Sequence, residues 1–163
     1  MTINNELLEK LQKQFAFELE SGYIYLDYAG YAADRDMNGI SHFFIEQAKE
    51  EYEHAMKFFD YLNEIGHRVE FPVINGSKAE FETFTELFEA ALAHEKEVTR
   101  RIHELMDIAV ANKDYPTMDF LNWFITEQRE EEDSFNGLVA KFKGINEKFQ
   151  GLYLLDKELS YRE

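Results

Sequence analysis

Glu18, Glu51, Glu95 and Glu131 each stand where an apolar stripe should continue, and His54 shares the stripe of Glu51. The first stripe reads Leu8, Leu11, Phe15, Glu18, Gly22, Tyr25, Ala29, and the second Ile40, Phe44, Gln47, Glu51, His54, Phe58, Tyr61, Ile65. The third reads Phe84, Phe88, Ala91, Glu95, Val98, Ile102, Leu105, Ala109, and the fourth Phe120, Phe124, Glu127, Glu131, Phe135, Leu138, Phe142. Steps of three and four mark helix faces turned toward a core. A lone carboxylate there costs several kcal/mol or neutralises itself by a pKa shift. One such residue could be an accident; a carboxylate in every stripe, with an imidazole on the same face, points to a buried cation. Carboxylates with one imidazole are hard-to-borderline donors that suit iron or manganese and would also hold zinc. An all-oxygen calcium site would not need the histidine. The negative charges are about what two divalent ions would neutralise, so a two-metal site is the more natural reading. A set of solvated helix-surface charges is the bland alternative. It does not explain why all four lie in apolar seams.

The elements that must position these groups are long helices. The pattern predicts a first helix over 5–34 and a second starting near Asp36 or Asn38 and stopping at Gly66, a natural helix-terminating residue. Residues 67–82 hold Pro72, Asn75 and Gly76 with little helical period, a connection long enough to run along a bundle. Thr83-Phe84-Thr85-Glu86 matches a capping box and opens a third helix that ends near Asn112. Pro116 fits the first turn of a fourth, which runs to about Gly144, and Gly151 sets off a short fifth helix over 152–161. Two helical hairpins joined by a crossover follow. Glu18, Glu51, Glu95 and Glu131 lie within about three residues of the helix midpoints, a height mismatch below about 5 Å. Helices of equal length packed side by side therefore bring all four into one slice of the core.

The 163 residues are enough for one domain with a sizeable core, and only two prolines and eight glycines fit few, long helices. Fifteen Phe and nine Tyr suggest a core built largely from rings. The net charge of −16 disfavours nucleic acid or an anionic membrane as partner. With no cysteine, disulfides, thiolate zinc sites and iron–sulfur clusters are excluded. The segment MTINNELLEK has neither the basic nor the apolar region of a secretory signal, and no apolar run approaches a membrane span. A soluble, cytoplasmic protein is the expectation.

Several stretches carry a resemblance. They are Glu18-Leu19-Glu20-Ser21-Gly22-Tyr23-Ile24-Tyr25, Glu50-Glu51-Tyr52-Glu53-His54, His94-Glu95, and the run from Phe120 through Trp123, Glu127, Gln128, Glu130 and Glu131 to Glu132. The tail Gly151-Leu152-Tyr153-Leu154-Leu155-Asp156 adds to them. Each is weak alone; as an ordered set over nearly the whole chain they resemble the ferritins, most closely the bacterial non-haem ferritins. The resemblance implies an all-α, ferritin-like four-helix bundle with a long crossover between helices two and three and a short C-terminal fifth helix. It also implies a di-iron ferroxidase centre. Glu18, Glu51 and His54 would hold the first iron, with Glu51 bridging; Glu95 and Glu131 would hold the second, with Gln128 close by. A third iron would use Glu50, Glu127, Glu130 and Glu131. Tyr25 matches the family's tyrosine beside the centre. Ferritin-like di-metal bundles commonly carry a second Glu-x-x-His; here Glu130 stands where that histidine would be, so half of the site is oxygen-rich. Tyr52 replaces the methionine that holds haem in bacterioferritins, so no haem is expected. Aligned on Glu127-Gln128, Met118 and Leu121 fall where animal ferritins line a three-fold channel with acidic residues. A homo-oligomeric shell of twenty-four subunits holding hydrated ferric oxide is implied as well.

The expected function is thus iron storage and detoxification, with Fe(II) oxidised by O₂ or peroxide. The alternative is a non-storing di-iron peroxidase resembling rubrerythrin, whose usual electron-transfer domain needs paired cysteines that this chain lacks. A purely structural bundle would leave the seam carboxylates unexplained. His42, His67, His94 and His103 receive no site assignment, Trp123 reads as packing, and the five methionines show no box-like spacing.

Overall fold

Asn4, Thr83 and Asp114 begin helices by accepting a hydrogen bond from the backbone N–H three residues on, each at 3.1 Å. The structure, a computed structural model, describes residues 2–163. It contains α1 (Asn5–Asp34), α2 (Asn38–Glu64), α3 (Phe84–Ala111), α4 (Tyr115–Ile145) and α5 (Phe149–Leu159). Chain reversals fall where the backbone takes positive φ, at Asp36, Gly66, Lys113, Asn146 and Glu147. The fold class read from the sequence is the one observed. No helix among the described residues is long and apolar enough to cross a membrane.

Two apolar clusters define the helix directions. At one end Leu7 and Leu11 of α1 meet Leu62 of α2, Ile102 and Leu105 of α3, and Leu121 of α4. At the other end Tyr28, Phe44, Phe88 and Phe142 pack with Leu152 and Leu155 of α5. Thus α1 and α4 run one way, α2 and α3 the other. The crossover must climb the full height of the bundle, and it does so along α1. Gln12 exchanges two hydrogen bonds with the backbone of Glu70, Glu20 accepts from the Asn75 N–H, Asp27 accepts from Ser77 and Ala79, and Tyr31 donates to the Phe81 carbonyl. These side chains satisfy backbone groups that no helix or sheet serves. Between the two clusters lies a polar layer, which is the site.

Two local expectations are corrected. Thr83 caps α3, but Glu86 reaches back to the N–H of Glu82, not Thr83, so the reciprocal half of the capping box is shifted by one residue. The fifth helix starts at Phe149, and Gly151 lies inside it rather than before it. Gly151 is needed there for packing, because a Cβ would press on Ile145.

Docking of α5 depends on Gly39. The Asp156 side chain accepts from the Ile40 N–H at 2.8 Å, and a Cβ on Gly39 would overlap the Asp156 carbonyl oxygen. The Gly39 Cα that would carry it and the Asp156 carbonyl both belong to helix backbones, which cannot give way cheaply. Gly39→Ala is therefore expected to push α5 off α2, at about 1–3 kcal/mol. Thermal melts should show a lowered Tm, and an unchanged Tm would contradict this docking.

Candidate metal centre

At mid-height α1 contributes Glu18, α2 contributes Glu51 and His54, α3 contributes Glu95, and α4 contributes Gln128 and Glu131, all buried. The His54 Nδ1 lies 3.4 Å from Glu51 Oε2 and 3.9 Å from Glu18 Oε2. Glu18 Oε2, Glu51 Oε2 and His54 Nδ1 are all fully buried and have no hydrogen-bond partner. Native structures rarely leave buried polar atoms orphaned. Three that converge form a group that could hold a metal ion, with oxygen and nitrogen donors.

Other carboxylate oxygens of the layer accept from three amides and one phenol. Gln14 donates to Glu18 Oε1 at 3.0 Å, and Gln47 donates to both Glu51 Oε1 and Glu131 Oε2 at 3.2 Å. Gln128 donates to Glu95 Oε2 at 3.0 Å and Tyr25 donates to Glu95 Oε1 at 2.5 Å. These donors engage both oxygens of Glu95 but leave Oε2 of Glu18 and Oε2 of Glu51 without a partner. Gln14 and Gln47 were given no role from the sequence. A signal was present: each stands four residues before a seam glutamate, on the same helix face.

A second group lies toward solvent. Glu50, Glu127 and Glu131 each offer a carboxylate oxygen, all within 4.8 Å of one another. Glu131 thus faces both groups, and Gln47 ties it to Glu51. Glu127 also lies 3.6 Å from His54 Nε2. Glu130, expected with them, is exposed and belongs to neither group. At about 100° per residue, Glu127 lies about 40° to one side of Glu131 and Gln128 about 60° to the other, while Glu130 turns about 100° away. The same rotation corrects the fourth stripe, in which Gln128 rather than Glu127 faces the core layer. Leu121 is fully buried, so it cannot line a channel.

Burial pushes the carboxyls up. Glu95 rises to about 7, from burial opposed by the hydrogen bonds of Tyr25 and Gln128. Glu131 rises to about 9, from burial and then the neighbouring charges of Glu95, Glu51 and Glu50. Glu18 is raised by burial and by Glu51, and Glu51 by burial and by Glu95. Burial also opposes a charge on His54, but Glu127, Glu51 and Glu18 outweigh it and lift the imidazole to about 11. Burial thus favours the protonated carboxyls, and a cation bound here would displace those protons. Tyr25 is likewise raised, by burial and then Glu95. His94 is held down to about 4 by burial. Ser21 donates to the Phe17 carbonyl, so its hydroxyl accepts from His94 Nε2 at 2.7 Å. That neutral ring stacks on Phe17 and meets Tyr25 edge-on, a packing role.

A four-helix bundle whose core carries a carboxylate-rich layer with an imidazole is the architecture of the ferritin-like di-metal proteins. The ferritin-like domain profile matches residues 8–145. The bacterial non-heme ferritin of Staphylococcus haemolyticus is 41% identical over 160 residues, covering 98% of this chain and 96% of the relative. That of Staphylococcus aureus is 39% identical over the same length. Among solved structures, an open pore ferritin from the archaeon Archaeoglobus fulgidus superimposes with a TM-score of 0.98 at 39% identity, covering 100% of both chains. Chlorobium tepidum ferritin superimposes with a TM-score of 0.87 at 34% identity, covering 98% of both. The chain belongs to the ferritin family.

Proposed function

We propose that this ferritin oxidises Fe(II) within each subunit and stores the ferric product in a shell of identical subunits. The observation that carries the reading is the convergence of Glu18 Oε2, Glu51 Oε2 and His54 Nδ1, buried and without protein partners. Iron is the substrate here. Glu18, Glu51 and His54 would take the first Fe(II), and Glu95 with Glu131 the second. Glu51 would be shared between them, and Gln128 would hold the Glu95 carboxylate in place. Two Fe(II) ions supply one electron each to O₂ or peroxide. Hard carboxylate donors favour Fe(III) once it is formed. Binding releases the protons held by the layer, and Tyr25, donating to Glu95, stands where it can pass a proton or an electron to the centre. Glu50, Glu127 and Glu131 would hold a third ion at the solvent side of the centre, with the exposed Glu130 as an outer carboxylate beyond Glu127.

Assembly into a shell, which the family resemblance puts at twenty-four subunits, is supported by exposed apolar groups along one flank. Tyr23 and Leu26 of α1 and Tyr52 of α2 are each more than half exposed, at 55%, 51% and 58%. Phe71 and Val73 of the crossover are also exposed. Such residues on a monomer commonly mark subunit contacts.

Iron loading tests storage. Repeated additions of Fe(II) in air should leave far more iron with the assembled protein than the few ions its binding sites hold. Saturation at two or three ions per subunit would instead favour the non-storing peroxidase reading.

A further inference from the structure

Beyond the end of α5 the chain turns back onto α2, and Arg162 is fixed there by contacts of four kinds. Its Nη2 lies 3.0 Å from Glu50 Oε1, its Nη1 donates to the Phe43 carbonyl at 3.1 Å, and its guanidinium sits 4.4 Å from the centre of the Phe43 ring. Its own carbonyl oxygen accepts from His42 Nε2 at 2.6 Å. The Arg162 side chain is only 19% exposed. Glu50 is meanwhile one of the carboxylates grouped with Glu127 and Glu131. The Glu50 side chain therefore faces both an arginine already in place and the other two carboxylates of the cluster.

We propose that Arg162 is a tethered counter-cation for the Glu50/Glu127/Glu131 cluster, and that a metal ion binding there must compete with it for Glu50. The inference rests on the reading that this cluster takes iron. Carboxylates held this close repel one another, and a nearby fixed cation relieves that repulsion. Arginine suits the task, because it stays charged at all working pH values and stacks on an aromatic face while presenting a planar fork. Tethering keeps it at high effective concentration. A divalent ion carries more charge and still displaces it, but binds less tightly than it would to three free carboxylates. The outer cluster then holds iron briefly rather than trapping it, and the inner group of Glu18, Glu51 and His54, which Arg162 does not touch, is unaffected.

Anaerobic calorimetric titration of the assembled protein with Fe(II) tests this, comparing wild type with Arg162→Gln. The weakest-binding ion should tighten about two- to fivefold in Arg162→Gln, as expected for loss of a partly exposed competing ion pair. The tighter ions should not change. Arg162→Lys, which keeps the charge without the fork, should fall between. In a Glu50→Gln background the arginine has no carboxylate to occupy, so adding Arg162→Gln should change nothing. A third ion bound equally by wild type and Arg162→Gln overturns the proposal and leaves the cluster reading intact. Absence of a third ion from both proteins overturns the two together. Weakening of all ions alike makes the tail a purely structural clasp and overturns the competition.

Discussion

Glu51→Ala is expected to cut the initial rate of Fe(II) oxidation, measured at two equivalents per subunit, by at least about 100-fold. Glu51 is the residue that the proposed first and second irons share. Its Oε2 is one of the three orphaned atoms beside His54, and its Oε1 is held by Gln47, the amide that also holds Glu131. Removing it strips a ligand from both positions and leaves Gln47 and His54 without their common partner. His54→Ala should act differently, mainly weakening the first ion, because the imidazole faces Glu18 and Glu51 but not Glu95. An initial rate in Glu51→Ala equal to wild type would remove the proposed centre.

The second large effect is on stability. Glu95 and Glu131 have folded-state values of about 7 and about 9 against an ordinary 4.5, so the folded protein binds their protons more tightly than the unfolded chain does. Their contribution is complete below the ordinary value and is lost as pH rises through 7 and then 9. His54, raised from 6.5 to about 11, works in the same direction at higher pH. Metal-free protein should therefore become less stable from pH 5 to pH 9, with Glu95 alone accounting for about 3 kcal/mol. Glu95→Gln removes a titrating group, so its metal-free Tm should exceed that of wild type at pH 8 and fall less with pH. Added divalent metal requires deprotonated ligands and binds only the folded layer, so it should raise the wild-type Tm most at the alkaline end. Melts at several pH values, with and without metal, check all three statements. A metal-free Tm that climbs with pH would contradict the burial of these carboxyls, and a Tm indifferent to metal would contradict the site.

The sequence by itself determined most of the frame. Apolar periodicity, the Thr83 cap, Pro116 in the first turn of α4 and the positive-φ stop at Gly66 delimit α1 to α4 to within a residue or two. These are local preferences, readable without knowing what packs where. The placement of Glu18, Glu51, His54, Glu95 and Glu131 in one layer followed from equal helix lengths, since height along a helix depends only on residue count. Rotation about each helix axis was not legible in the same way. A neighbour one residue away turns about 100°, so Glu127, Gln128, Glu130 and Glu131 all satisfy a loose helical stripe. Only the packing of α4 against α2 and α3 decided that Gln128 and Glu131 turn inward, Glu127 sits at the edge and Glu130 faces water. The same holds for long-range partners. Arg162 meets Glu50, Asp156 meets Gly39, and Gln47 bridges Glu51 and Glu131, because helices distant in sequence close around one another. No local pattern encodes those distances. They are set by the fit of aromatic side chains in the two apolar clusters, which fixes each helix in rotation and so decides which carboxylates share a cation.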